Sequence, residues 1–184
     1  ETADCAGGGA AGDSVASLRA LLAQEGVRDA LVPVVDPEAA RRCHAAGLGA
    51  EITLSLGHRM DPRWGTPLEV SGTILHLSDG AFRYRGGIWD DVAGDMGPSA
   101  MLQSGGVRVL ITSHATYDWA DEQWQAVDIN PCEAQFVVAQ NPMNFHNVYD
   151  DCATQIHILD TAGPTPASVR NLPFQHMVRP FFPL

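Results

Sequence analysis

The sequence predicts an α/β fold: a single mixed-sheet domain with strand-helix-strand units at both ends and antiparallel hairpins in the middle. Three observations lead there. The chain has 184 residues, of which 45% are hydrophobic, enough for one substantial core. Near each end, a short apolar run is followed by a helical pattern and then by a second apolar run. Between them, Asp79-Gly80 and Gly105-Gly106 sit between strand-like segments as turn dipeptides.

Taken in order, Ser14 to Gln24 carries Val15, Leu18, Leu21 and Leu22 at helical spacing, with Asp13 or Ser14 as N-cap and Gly26 beyond its end. Ala30 to Val35 is rich in β-branched residues and reads as a strand. Asp36-Pro37 pairs an N-cap with a proline at the first helical position, so a helix should run to about Ala46 and stop at Gly47. Ala50 to Leu56 completes an expected βαβ unit with a right-handed crossover. Leu68 to Ser78 and Ala81 to Arg85 are the expected arms of one hairpin, and Ser99 to Gln103 and Val107 to Thr112 those of a second. The last of these arms is apolar enough to be largely buried. Ala120 to Val127 should form a short helix opened by an acidic cap. Gln135 to Ala139, Phe145 to Ala153 and Gln155 to Leu159 then read as strand, helix and strand. From Pro164 to Pro183 five prolines fall in twenty residues, which predicts an extended strap. No internal repeat or dividing linker is visible, so the expectation is one domain over residues 1–184.

Composition excludes several kinds of function. The formal net charge is −11, which repels phosphate backbones and acidic membrane surfaces, so neither nucleic acid nor a membrane is an expected partner. No apolar run approaches the roughly 18 residues of a membrane span. All 11 basic residues are arginine, which rules out lysine Schiff-base chemistry and the phosphate-gripping lysine of a P-loop within this sequence. Cys5, Cys43, Cys132 and Cys152 lie far apart with no C-x-x-C pair, so the expectation is four free thiols in a reducing cytoplasm. The sequence opens on Glu1 rather than methionine, and we expect it to be a piece of something longer.

Chemistry-bearing residues concentrate in Asp4-Cys5-Ala6-Gly7-Gly8-Gly9-Ala10-Ala11-Gly12-Asp13-Ser14, leading into the first helix. Gly7, Gly12 and Ser14 fall at P-loop spacing, but Asp13 stands where the lysine belongs and would oppose a triphosphate. What survives is a flexible glycine loop whose N–H groups, with the helix N-terminus, can face a carbonyl or carboxylate oxygen. The plainer reading is a tight turn with a helix cap. None of the seven histidines forms H-x-H, H-x-x-x-H or H-E-x-x-H, so no metal pair is set by local structure. His58 stands apart because it comes after a predicted strand, in the loop His58-Arg59-Met60-Asp61-Pro62-Arg63-Trp64-Gly65, where α/β folds place ligands. There is no G-x-S-x-G, and Cys5 has no base near it in sequence.

The glycine loop, together with several blocks downstream of it, resembles the C-terminal domain of the MlrC family of linearised-microcystin hydrolases. That domain opens on a motif close to Asp-Asn-Pro-Gly-Gly-Gly-Ala-Pro-Gly-Asp, which Asp4, Gly7, Gly8, Gly9, Ala10, Gly12 and Asp13 match and Cys5, Ala6 and Ala11 do not. Similar in order and spacing are Asp36 to Ala40, Cys43 to Gly47, Glu51 to Gly57, Leu77 to Gly80, Phe82 to Gly86, Gly97 to Ala100, and Leu172-Pro173-Phe174 to Arg179-Pro180. Where many relatives carry a lysine and then a His-Phe-Arg group, this chain has Ala139-Gln140 and Asn144-Phe145-His146.

The resemblance implies a metal-dependent amide or peptide hydrolase whose zinc is held by an N-terminal domain outside this sequence. No cofactor is expected in this chain. The expected partners are that catalytic domain, in the same polypeptide or as a partner subunit, and a peptide or amide small-molecule substrate; a homo-oligomer stays open. Asp4, Gly7, Gly8, Gly9, Asp13, Ser14 and His58 are the cleft-lining candidates, with no catalytic residue assigned. The alternative is a self-contained binding or oligomerisation module without catalytic activity.

Overall fold

The structure is a computed structural model and describes residues 1–117, 121–141, 145–172, 174–178 and 180–182. Ala120 at the start of one predicted helix, Asn144, and Pro173, Arg179 and Pro183 of the strap lie outside the described residues.

After a 3-10 turn at Ala6–Gly8, the chain forms α1 (Ala16–Ala23), β1 (Ala30–Val35), α2 (Pro37–Ala46), β2 (Glu51–Leu56) and β3 (Leu68–Ser78). Then come β4 (Ala81–Arg83), β5 (Ala93–Asp95), β6 (Ser99–Ser104), β7 (Val107–Thr112), α3 (Glu122–Gln125), β8 (Phe136–Val137) and α4 (His146–Tyr149). The main sheet runs β2-β3-β6-β7-β1-β8, and β4 and β5 make a separate two-stranded ribbon. The domain is therefore mixed α/β on one principal sheet, as predicted.

Period-two alternation decides what each face buries. Ala30, Val32 and Val34 of β1, Ala100 and Leu102 of β6, and Val107, Val109 and Ile111 of β7 meet Val15 and Leu18 beside α1 and Ala39, Ala40 and Cys43 of α2. Leu31, Met101 and Leu110, one residue out of phase, face the other way onto Met96, Trp124 and Val127. With both faces covered, the central strands become continuous apolar runs rather than alternating ones. Burying each large side chain such as Leu18 or Leu110 stabilises the fold by about 1.5–3 kcal/mol.

Local signals held where they were self-contained. The Asp36 carboxylate accepts the Ala39 N–H at 3.0 Å, Pro37 opens α2, and Gly47 ends it. The second hairpin forms around Gly105-Gly106, with Ser104 opposite Val107, and β7 is nearly all buried.

Several expectations are corrected. β1 and β2 are not a βαβ pair. Three strands separate them, and three antiparallel pairings lie on the ladder between them, so no parallel crossover joins the two. β3 and β4 do not form a hairpin. β6 takes the edge of β3, while Asp79 Oδ1 accepts the Ala81 N–H and the Gly80 carbonyl accepts Met96 N–H, turning the chain out to pair β4 with β5. The C-terminal strand-helix-strand unit is reduced to two residues of β8 and one turn of α4, with residues 155–159 in neither strand nor helix. Ile156 and Ile158 alternate as a strand would, but they are exposed. The α3 region opens on Asp121, whose carboxylate bonds Gln125 Nε2 rather than capping the backbone. From Pro164 onward the described residues contain only a 3-10 turn at Val169–Asn171, in keeping with a strap.

The four-thiol expectation also fails. Cys132 and Cys152 are joined in a disulfide, leaving Cys5 and Cys43 as buried free thiols. Twenty residues separate the pair in sequence, so no local spacing announced it. Scattered cysteines thus give no support to a reducing compartment.

Candidate functional site

The glycine loop is built by a buried carboxylate. Asp4 accepts Gly12 N–H at 3.1 Å through one oxygen and Ser14 N–H at 2.6 Å through the other, closing the loop at its base. Burial pushes the Asp4 carboxyl above the usual range, against the pull of those two N–H groups. Inside the loop, Gly8 and Ala10 donate to the Cys5 carbonyl and Gly9 to the Ala6 carbonyl. Five N–H groups that an open loop would offer to a ligand therefore organise the loop itself.

The three predicted glycines are exposed at the tip and differ in their surroundings. A side chain on Gly7 would run into the Tyr117 ring, and one on Gly8 would come within 2.9 Å of Thr165 Cγ2. Gly9 has φ 92° and open space where a Cβ would point.

Asp13 joins this loop to the one after β2. Its carboxylate accepts Met60 N–H at 2.7 Å and Asp61 N–H at 3.1 Å, and its carbonyl accepts His58 N–H at 2.9 Å. Asp36 fixes the start of the same loop, accepting Gly57 N–H at 3.1 Å and Arg59 Nε at 3.2 Å. His58 is buried with φ 51°, its ring lies against Gly65, and its Nδ1 has no hydrogen-bond partner among the described residues. Ser14 is buried as well; its hydroxyl lies 3.4 Å from Glu1 Oε1 and 3.3 Å from Ala16 N, so Val15 rather than Ser14 or Asp13 holds the N-cap position of α1.

The two loops converge on an open cleft of about 650 Å³ bounded by Gly9, Ala10, Ala11, Met60, Asp61, Pro62, Arg63 and Pro164. Of the predicted residues, Gly9 lies on the cleft itself. Gly7 and Gly8 belong to the same exposed tip, and Asp4, Asp13, Ser14 and His58 form its buried support. At the rim the Arg63 guanidinium, bonded to both Asp61 oxygens at 2.7 Å, holds the Asp61 carboxyl down to about 2.

Sequence reasoning missed residues that act across long separations. Thr165 accepts Cys5 N–H at 3.0 Å and donates to the Thr2 carbonyl at 2.6 Å, and Thr161 donates to Glu1 at 2.7 Å. Proline content marked the strap as extended, but nothing in it named the loop it would hold.

The molecule is thus a mixed α/β domain on one principal sheet whose glycine loop and post-β2 loop border one cleft. The chain belongs to the MlrC C-terminus family, whose model matches residues 1–176. It is 24% identical over 183 residues to Microcystinase C of a Sphingomonas species, a match covering all of this chain and 34% of that protein. It is also similar to the crystal structure of a candidate metallopeptidase from Mesorhizobium sp. BNC1, with a TM-score of 0.86 and 28% identity, covering all of this chain and 36% of that one. The chain therefore spans about a third of the length of these relatives.

Proposed function

We propose that this chain is the C-terminal domain of a zinc-dependent amide or peptide hydrolase. In this reading its cleft face forms one wall of a substrate site completed by a metal-binding N-terminal domain, in the same polypeptide or as a partner subunit. The observation that carries the reading is the convergence of Gly9-Ala10-Ala11 and Met60–Arg63 on one cleft, tethered through Asp13.

Among the described residues no group of three His, Cys, Asp or Glu side chains comes together to hold a metal. The described residues do not fit a zinc site, and the reading assigns the ligands to the other domain. A zinc held there would supply Lewis-acid chemistry.

This chain's own residues bind and orient. The side-chain-free tip at Gly9 lets a substrate main chain approach the protein backbone closely. The internal hydrogen bonds to Cys5, Ala6 and Asp4 fix the loop before substrate arrives, so little ordering entropy is lost on binding. Met60, Pro62 and Pro164 give the cleft an apolar side that sheds water, while the Asp61–Arg63 pair leaves the rim close to neutral. Peptides and small amides suit such a surface better than highly charged substrates.

The test is hydrolysis of linear peptides by the zinc-loaded protein that includes the neighbouring domain, beside the 184-residue chain alone. The reading expects turnover only from the former. Turnover by the isolated chain, or none by the longer protein with zinc bound, would contradict it.

A further inference from the structure

We propose that the Cys132–Cys152 disulfide is a redox-sensitive lock on the glycine loop. The bridge stands where two arms of the chain with little regular secondary structure meet, and both arms run back to that loop. From Cys132 the chain passes through β8, which pairs with β1 at Ala30 and Leu31 alone, to Val138, whose N–H donates to Leu31 at 2.9 Å. It continues to buried Gln140, whose Oε1 lies 3.6 Å from where a side chain on Gly12 would begin. From Cys152 the chain passes through residues 153–163, which form neither strand nor helix, to Thr161 on Glu1 and Thr165 on Thr2, Ala3 and Cys5. Gly8 packs on Thr165. One arm thus reaches residues 1–14 through the Glu1 ammonium on the Ala139 carbonyl at 2.8 Å, with Gln140 beside Gly12, and the other reaches the tip of the loop at Gly8. The Gln135 and Phe136 N–H groups on the Asp29 carbonyl, and Val138 in the core, anchor the first arm beside β1, and the bridge ties the second arm to it.

Exposure makes the lock operable. Cys132 is exposed and Cys152 half-buried, whereas the free thiols of Cys5 and Cys43 are enclosed. Solvent-accessible disulfides are the ones that exchange. The reductant is a dithiol. Its thiolate attacks Cys132 Sγ, the S–S bond breaks, and Cys152 leaves as a thiolate that takes up a proton. The second thiol of the same reagent then attacks the mixed disulfide, releasing Cys132 and leaving the reagent as a cyclic disulfide. Two electrons and two protons pass to the protein. The freed arms regain the conformational entropy that closure of the intervening loop had removed, and their grip on residues 1–14 relaxes.

The experiment is peptide mapping and amide hydrogen exchange on the protein purified without reductant, after treatment with dithiothreitol, and on the Cys132→Ser, Cys152→Ser double variant. Peptides carrying Cys132 and Cys152 should be recovered cross-linked before treatment and separate after it. Protection of residues 1–14 should fall about tenfold on reduction and in the double variant, while β1 and β7 keep theirs. Re-oxidation should restore protection in the wild type alone. Recovery of both cysteines as free thiols in the untreated protein would overturn the proposal, as would a cross-link whose reduction leaves residues 1–14 equally protected. Neither readout depends on hydrolysis, so the lock can fail or stand separately from the catalytic reading.

Discussion

Asp13 holds Met60 by a 2.7 Å hydrogen bond from the Met60 N–H to a carboxylate with almost no exposed surface. With the bond from Asp61 N–H to the same carboxylate, this contact ties the two walls of the cleft together, because Asp13 follows the glycine loop and Met60 lies on the opposite wall.

Replacing Asp13 with alanine removes the acceptor of two backbone N–H groups, Met60 and Asp61. Leaving buried donors unpaired costs about 1–3 kcal/mol, softened here because water can reach part of the loop. On the proposed function, the expected outcome is a modest loss of thermal stability and a larger loss of kcat/KM in a longer protein that includes the neighbouring domain. Thermal denaturation and steady-state kinetics on the same preparation check it; losses confined to stability would leave the tether without a role in the cleft.

The glycines of the tip should not be equivalent in stability. Gly7→Ala displaces the Tyr117 ring, and Tyr117 also receives Gln123 Nε2 on its carbonyl at 2.8 Å and donates its N–H to Tyr84 Oη at 3.1 Å. We expect a cost of about 1–3 kcal/mol from overpacking at Gly7. Gly8→Ala presses on Thr165 Cγ2 at 2.9 Å and should cost about 1 kcal/mol. Chemical denaturation of the two variants should show that order, and equal stabilities would contradict the packing described.

Asp4 gives a pH signature. Its folded-state carboxyl titrates above the ordinary aspartate value of 3.8, so the folded protein binds a proton more readily than the unfolded chain does. The Asp4 contribution to stability therefore rises as pH falls through the folded pKa toward 3.8 and declines as pH rises. Asparagine does not titrate and offers only one oxygen to the two N–H groups. The stability gap between wild type and Asp4→Asn should accordingly be wider near pH 4 than at pH 7, measured by denaturant unfolding across about that range. A gap that narrows toward acid would contradict the burial-driven shift.

Much of the fold was legible because certain signals are local. Asp36-Pro37 and Gly47 bracket α2 by capping alone, and Gly105-Gly106 specifies both a turn and the neighbours that flank it. Asp79-Gly80 specified a turn but not the partner of Ala81 to Arg83, which the sheet edge at Ser99 decided. The candidate site was legible as a glycine loop and a post-strand loop, since both lie in single short stretches. What Asp4, Asp13 and Asp36 do there was not. Each carboxylate bonds N–H groups between 8 and 48 residues away as well as any local ones, and no pattern in sequence records such a choice. The Cys132–Cys152 pairing and the return of Thr165 to Cys5 were hidden for the same reason.

The cleft-wall assignment rests most directly on Gly9. Its φ of 92° makes alanine strained there by about 1 kcal/mol, yet a methyl group would meet nothing among the described residues and would project at the edge of the cleft. On the proposed function, the measurement is kcat/KM for peptide hydrolysis by a zinc-loaded longer protein that includes the neighbouring domain and carries Gly9→Ala, with zinc content and melting temperature recorded alongside. The account predicts unchanged zinc, a slightly lower melting temperature and a fall in kcat/KM of about tenfold or more, as a backbone approach is obstructed. Wild-type kcat/KM in a folded, zinc-loaded Gly9→Ala protein would contradict it.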